Sequence, residues 1–113
     1  MLLAIDIGNT NIVIGCIEND EILFNERVWT NHKATDLEYA IQLKNIFEIH
    51  NIDPYTIDGA VMSSVVPSIT ETFENAIKKL TGCTPMYINV DNTCDEILEI
   101  HDEMGKICVF PFF

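Results

Sequence analysis

Positive charge is scarce in this sequence: 6 Lys and Arg stand against 18 Asp and Glu, a formal net charge of −12. An acidic surface repels phosphate backbones, which excludes general nucleic-acid binding. A single bound nucleotide is not excluded, because backbone N–H groups or a metal ion can neutralise its phosphates locally. Long apolar runs are also missing, and none approaches the ~20 residues that span a bilayer. The opening MLLAIDIGN has neither the basic n-region nor the long apolar stretch of a secretion signal. A cytoplasmic protein without a membrane partner is the expectation. Cys16, Cys83, Cys94 and Cys108 form no C-x-x-C pair, and His32, His50 and His101 do not cluster with them. Zinc is therefore not expected, and buried free thiols in a reducing compartment are. Repeats, low-complexity segments and linkers are absent.

What is present is a chain of 113 residues with 48% apolar and 21% charged residues, enough for one domain around one core. Leu2 to Ile7 is an almost unbroken apolar run, the pattern of a strand buried on both faces. Ile12 to Ile17 is β-branched, and Ile22 to Trp29 alternates apolar with polar positions. The short connections between them predict an antiparallel meander, the second turn being Glu18-Asn19-Asp20-Glu21. Thr35-Asp36-Leu37-Glu38 has the form of a capping box, so a helix should run to about His50 with Tyr39, Leu43, Ile46, Phe47 and His50 on one face. Gly59 to Ser64 reads as a fourth strand. Ser68-Ile69-Thr70-Glu71 reads as a second capping box, followed by Ile69, Phe73, Ala76, Ile77 and Leu80 at helical spacing and by Gly82 as a stop. Pro85 to Val90 is a fifth candidate strand, which completes the order β-β-β-α-β-α-β.

The chemistry sits at the start. In AIDIGNTNIVIG, an acid closes an apolar run and small polar residues follow at once. A strand, a tight turn and a return strand make a phosphate-binding hairpin. Gly8 lets the backbone approach a ligand, consecutive N–H groups can form an anion nest, and Asn9, Thr10 and Asn11 add uncharged donors. Asp6 could hold Mg²⁺, which would bridge the phosphates. The plainer alternative is a simple β-turn with Asp6 making an Asx-type bond to it.

DIGNTN from Asp6, together with DGAVMSSVVP from Asp58 to Pro67, resembles the start of a type III pantothenate kinase, over roughly Met1 to Ile88. The resemblance implies an α/β, ribonuclease-H-like fold of the actin, sugar kinase and heat-shock chaperone superfamily. It implies transfer of the γ-phosphoryl of ATP to the primary hydroxyl of pantothenate, the opening step of coenzyme A synthesis. ATP, Mg²⁺ and a monovalent cation, K⁺ or NH₄⁺, would be the cofactors, and a homodimer the assembly. The phosphate-binding segment would be Asp6, Ile7, Gly8, Asn9, Thr10, Asn11, Ile12 and Val13, with Asp6 on the metal.

The sequence departs from that family in one respect. The G-A-D-R motif, whose aspartate serves the family as base, is absent, and CDEILEIHDEMGKICVFPFF stands in its region. No catalytic residue is therefore assigned. The expected organisation is a nucleotide-binding domain over residues 1–90 and an atypical tail over 91–113, the mark of a truncation or frame shift that leaves an incomplete, inactive form. Two alternatives stand beside this reading: a non-catalytic nucleotide- or phosphate-binding module, and a regulatory relative resembling a bacterial accessory factor. Other polar residues have bland expectations. Ser63 and Ser64 resemble a motif lining the family's cleft but also suit local hydrogen bonding. His32 suits a solvated loop, Trp29 suits packing at the end of the third strand, His101 has no evident partner, and the acidic tail suits a solvated face.

Overall fold

A computed structural model of the chain describes residues 1–88. Five strands form one sheet: β1 (Leu2–Ile7), β2 (Asn11–Glu18), β3 (Glu21–Trp29), β4 (Gly59–Ser64) and β5 (Met86–Ile88). Two helices, α1 (Asp36–Ile49) and α2 (Pro67–Thr81), occupy the third-to-fourth and fourth-to-fifth connections. The sheet order is β3-β2-β1-β4-β5. β1 pairs antiparallel with β2, as the short connection predicted, and parallel with β4. The order β-β-β-α-β-α-β is the one read from the sequence. The acidic segment and aromatic end expected over residues 91–113 lie outside the described residues.

Local chemistry explains the boundaries. Asn19 and Asp20 both have positive φ, 52° and 66°. That is the type I′ geometry that suits the twist of a two-residue hairpin, and Asn and Asp tolerate it better than most residues. The α1 capping box forms as expected: the Thr35 hydroxyl accepts from Glu38 N–H at 3.2 Å, and Glu38 accepts from Thr35 N–H at 3.0 Å. The second box does not form. Helix α2 begins at Pro67 with Val66 as N-cap and no side-chain cap. Proline at the first helical position sets φ and lacks the N–H that would need a cap, so the helix starts before Ser68 can serve. Gly82 ends α2 in the left-handed conformation, φ 77°.

Alternation along β1 splits the core in two. Leu3, Ile5 and Ile7 join Ile12, Ile14, Phe24, Met62, Tyr39, Leu43, Phe47, Phe73 and Ile77 in the main cluster, on the helix side. Ala4 joins Val13, Ile17 and Val61 in a smaller cluster on the other side. Phe24 meets Phe47 edge-on at 5.6 Å, and Tyr39 meets Phe73 at 5.0 Å. His50, at the end of α1, stacks on Phe24 and bonds Glu26 at 2.7 Å, tying the helix to β3. No helix among the described residues is long and apolar enough to cross a membrane.

Thr35→Ala should lower the unfolding free energy by about 1 kcal/mol, because it strips a capped N–H from α1. Urea unfolding of the two proteins should show a lower midpoint at unchanged slope.

Candidate functional site

β1 ends on Asp6 and Ile7, and β2 begins at Asn11. Asp6 is in register with Val13 on β2 and with Ser63 on β4. These three side chains share the sheet face turned away from the main core. Burial pushes the Asp6 carboxyl up to about 6, while the Ser63 hydroxyl pulls it down by less. Ser63 is 1% exposed, and its Oγ, beside the Asp6 carboxylate, has no well-formed hydrogen bond among the described residues. Its neighbour differs: Ser64 Oγ accepts from Val66 N–H at 3.0 Å and donates to the Val66 carbonyl at 3.3 Å. Ser64 is thus the local hydrogen-bonder, and Ser63 is not.

A desolvated carboxylate beside a buried hydroxyl suits a hard cation with oxygen ligands. Among the described residues no three His, Cys, Asp or Glu side chains converge. A cation at Asp6 would take its other ligands from water or phosphate oxygens, which is the habit of Mg²⁺.

The turn beyond Asp6 has a definite polarity. Val65 N–H donates to the Ile7 carbonyl at 3.0 Å, Gly8 N–H to the Asn11 carbonyl at 2.9 Å, and Thr30 N–H to the Thr10 carbonyl at 2.8 Å. The Thr30 hydroxyl donates to the Gly8 carbonyl at 2.7 Å, and His32 Nε2 lies 3.4 Å from the Asn9 carbonyl. All the carbonyls from Ile7 to Asn11 thus face protein groups. The N–H groups of Asn9 and Thr10, both exposed residues, donate to nothing among the described residues. Donors outward and acceptors inward is the arrangement of an anion site.

Gly8 is also needed by the turn itself. A Cβ there would stand 3.1 Å from the Asn11 carbonyl oxygen, the acceptor of its own N–H. Its φ is not in the left-handed region. The glycine permits close approach within the turn. Ile7 and Ile12 are fully buried on the helix side, so only their backbone borders the turn. Val13 is buried beside Asp6, and His32 is exposed. Trp29 is 66% exposed instead of packed, because the alternation of edge strand β3 that turns Asn25 and Arg27 outward turns Trp29 outward too. Sequence reasoning missed Thr30, which is 1% exposed. The pairing of Asn11 with Trp29 puts the next residue, Thr30, opposite Thr10, and that register was the available signal.

The family described as type III pantothenate kinase has a sequence model that matches residues 2–103, beyond the span of the two motifs. The type III pantothenate kinase of Finegoldia magna is 41% identical over 90 residues, which are 79% of this chain and 34% of that protein. The chain thus spans about a third of the length of that relative. The fold is similar to the ROK hexokinase of Thermus thermophilus, with TM-score 0.63, 14% identity, and coverage of 88% of this chain and 38% of that one. It is also similar to a Porphyromonas gingivalis protein described as an N-acetylglucosamine kinase, with TM-score 0.57, 13% identity, and coverage of 79% and 34%. At such identities the two structures speak to the fold alone, a sugar-kinase-like α/β architecture.

Asp6 should cost stability in the ligand-free chain. Folding raises its pKa from 3.8 to about 6, so the folded state binds the extra proton between those values. The penalty is present in full above pH 6 and is relieved as pH falls toward 4. Asp6→Asn should therefore stabilise the chain at pH 7.5 by about 2 kcal/mol, a figure discounted for the carboxylate's remaining contact with solvent. Urea unfolding of both proteins across pH 4–7.5 should show the difference shrinking as pH falls.

Proposed function

The chain belongs to the type III pantothenate kinase family, and we propose that it holds the triphosphate of ATP, with Mg²⁺, at the turn between β1 and β2. This binding would serve transfer of the γ-phosphoryl to pantothenate at the start of coenzyme A synthesis. The observation that carries the reading is the desolvated Asp6 carboxylate, in register with the buried Ser63 hydroxyl beside it, at the foot of a turn whose free N–H groups face outward.

Each residue has a role in that reading. Asp6 and Ser63 would hold Mg²⁺. When bound, the ion supplies charge neutralisation between the phosphates, which phosphoryl transfer requires together with positioning. Asn9 and Thr10 donate backbone N–H groups to phosphate oxygens, and the Asn9, Thr10 and Asn11 side chains offer further uncharged donors. Ile7, Ile12 and Val13 form the apolar base under the turn. Pantothenate as acceptor, K⁺ or NH₄⁺ as a second cation and a homodimeric assembly belong to the same proposal, supported by family membership. So does a nucleotide-binding domain over residues 1–90.

One observation favours a second reading, a nucleotide-binding module without transfer chemistry: the sequence contains no G-A-D-R. The family's base has no counterpart at a matching position, and general-base help is worth ~10²–10⁴-fold.

ATP·Mg²⁺ should raise the melting temperature, with about 2.7 kcal/mol of added stability at a hundredfold excess over Kd. Asp6→Ala should abolish the rise, and an undiminished rise in that variant would remove Asp6 from the site. On the second reading, coupled ADP release with ATP, Mg²⁺, K⁺ and pantothenate stays at background, since no G-A-D-R aspartate serves as base. Pantothenate-dependent turnover that vanishes in Asp6→Ala would instead show a base outside the missing motif.

A further inference from the structure

Resting on the reading of the turn as a phosphate site, we propose that Thr30 is its positioning residue: one buried side chain and its own backbone N–H hold the turn so that its free donors face the anion. Thr30 occupies two of the turn's carbonyls. Its N–H donates to Thr10 at 2.8 Å and its Oγ1 to Gly8 at 2.7 Å.

The consequence follows from the peptide plane. In a trans peptide the carbonyl of one residue and the N–H of the next point in opposite directions. No peptide among the described residues is cis. Drawing the Gly8 carbonyl inward with the Thr30 hydroxyl therefore turns the Asn9 N–H outward. His32 Nε2, at 3.4 Å from the Asn9 carbonyl, acts in the same sense on the Thr10 N–H when that nitrogen carries the proton. A hydrogen bond to a carbonyl also polarises its peptide and strengthens the N–H as a donor.

Thr30 can do this because it is itself held. Tyr39, 1% exposed and packed on Phe73, clamps the next residue: its hydroxyl accepts from Asn31 N–H at 2.9 Å and donates to the Asn31 carbonyl at 2.8 Å. The Thr30 hydroxyl bonds only the Gly8 carbonyl among the described residues. Valine would fill the same volume and leave that carbonyl without its hydroxyl partner.

The test compares wild type, Thr30→Val and Thr30→Ser in the full chain. Isothermal titration with ATP·Mg²⁺ and with inorganic tripolyphosphate·Mg²⁺ is run well below the melting temperature. Thr30→Val should weaken both ligands about tenfold, the order expected for one buried hydrogen bond. Thr30→Ser should restore affinity to within about twofold, which a loss of packing alone would not allow. In ¹⁵N spectra, tripolyphosphate should shift the Asn9 and Thr10 amides of wild type, and the Asn9 shift should shrink in Thr30→Val. If Thr30→Val does not fold, Thr30→Ala takes its place, removing the hydroxyl without a second methyl, and must show the same tenfold loss. Wild type that binds neither ligand overturns the phosphate reading itself. Wild type that binds, with hydroxyl-free variants of equal affinity or with unmoved Asn9 and Thr10 amides, overturns the role of Thr30 and leaves that reading intact.

Discussion

The position of β1 in the middle of the sheet governs everything at its end. Its backbone is committed on both sides, antiparallel to β2 and parallel to β4. With both edges paired, the strand is free to vary only in which side chains it turns to each face. One face carries Leu3, Ile5 and Ile7 into the helices, a set that leaves no room for polarity. The other carries Ala4 and then Asp6. A carboxylate at such a place loses water and finds only Ser63 in register to replace it. Folding gains nothing from that arrangement, and stability sacrificed at a defined point is common where a site must bind a ligand. The location fits: in open α/β sheets, ligands gather at the carboxyl ends of the strands.

The turn is equally dependent on what lies behind it. A path of contacts runs from Phe73 on α2 to Tyr39 on α1, from the Tyr39 hydroxyl to Asn31, and from Thr30 to Gly8 and Thr10. The link from helix to turn is made of part-buried hydrogen bonds, which hold angles as well as distances. Helix packing and turn geometry are therefore one problem. That explains why the most buried tyrosine of the chain spends its hydroxyl on a loop backbone.

Charge sets a further constraint. At −12 overall, the chain's general field repels a triphosphate, so the proposed binding would draw its attraction from within hydrogen-bond reach. The donors at the turn are peptide N–H groups, amides and hydroxyls, which carry no net charge and act only at short range. A cation on Asp6 would add the long-range part. The cost of approach falls as salt screens the surface acids, while contacts inside the turn are screened far less.

Much of this was legible in the residues themselves. Apolar runs and β-branched stretches located β1, β2 and β3, and Thr35 with Glu38 located the start of α1, because these are local preferences acting within a few residues. Asp6 marked the candidate site, since an acid closing a buried strand is costly. The start of α2 was misread because Pro67 begins a helix without the cap that Ser68 seemed to offer. Trp29 was misread because the alternation of β3 puts it on the outward side with Asn25 and Arg27, where its apolar bulk does not decide its burial. Sequence alone thus determined which segments are strands, helices and turn, because backbone preference and periodicity are properties of neighbours along the chain. Only the tertiary structure decided that Ser63 is buried beside Asp6 while Ser64 bonds its own loop, and that Thr30, more than twenty residues from Gly8, aims the turn, because hydrogen bonding and burial depend on neighbours in space.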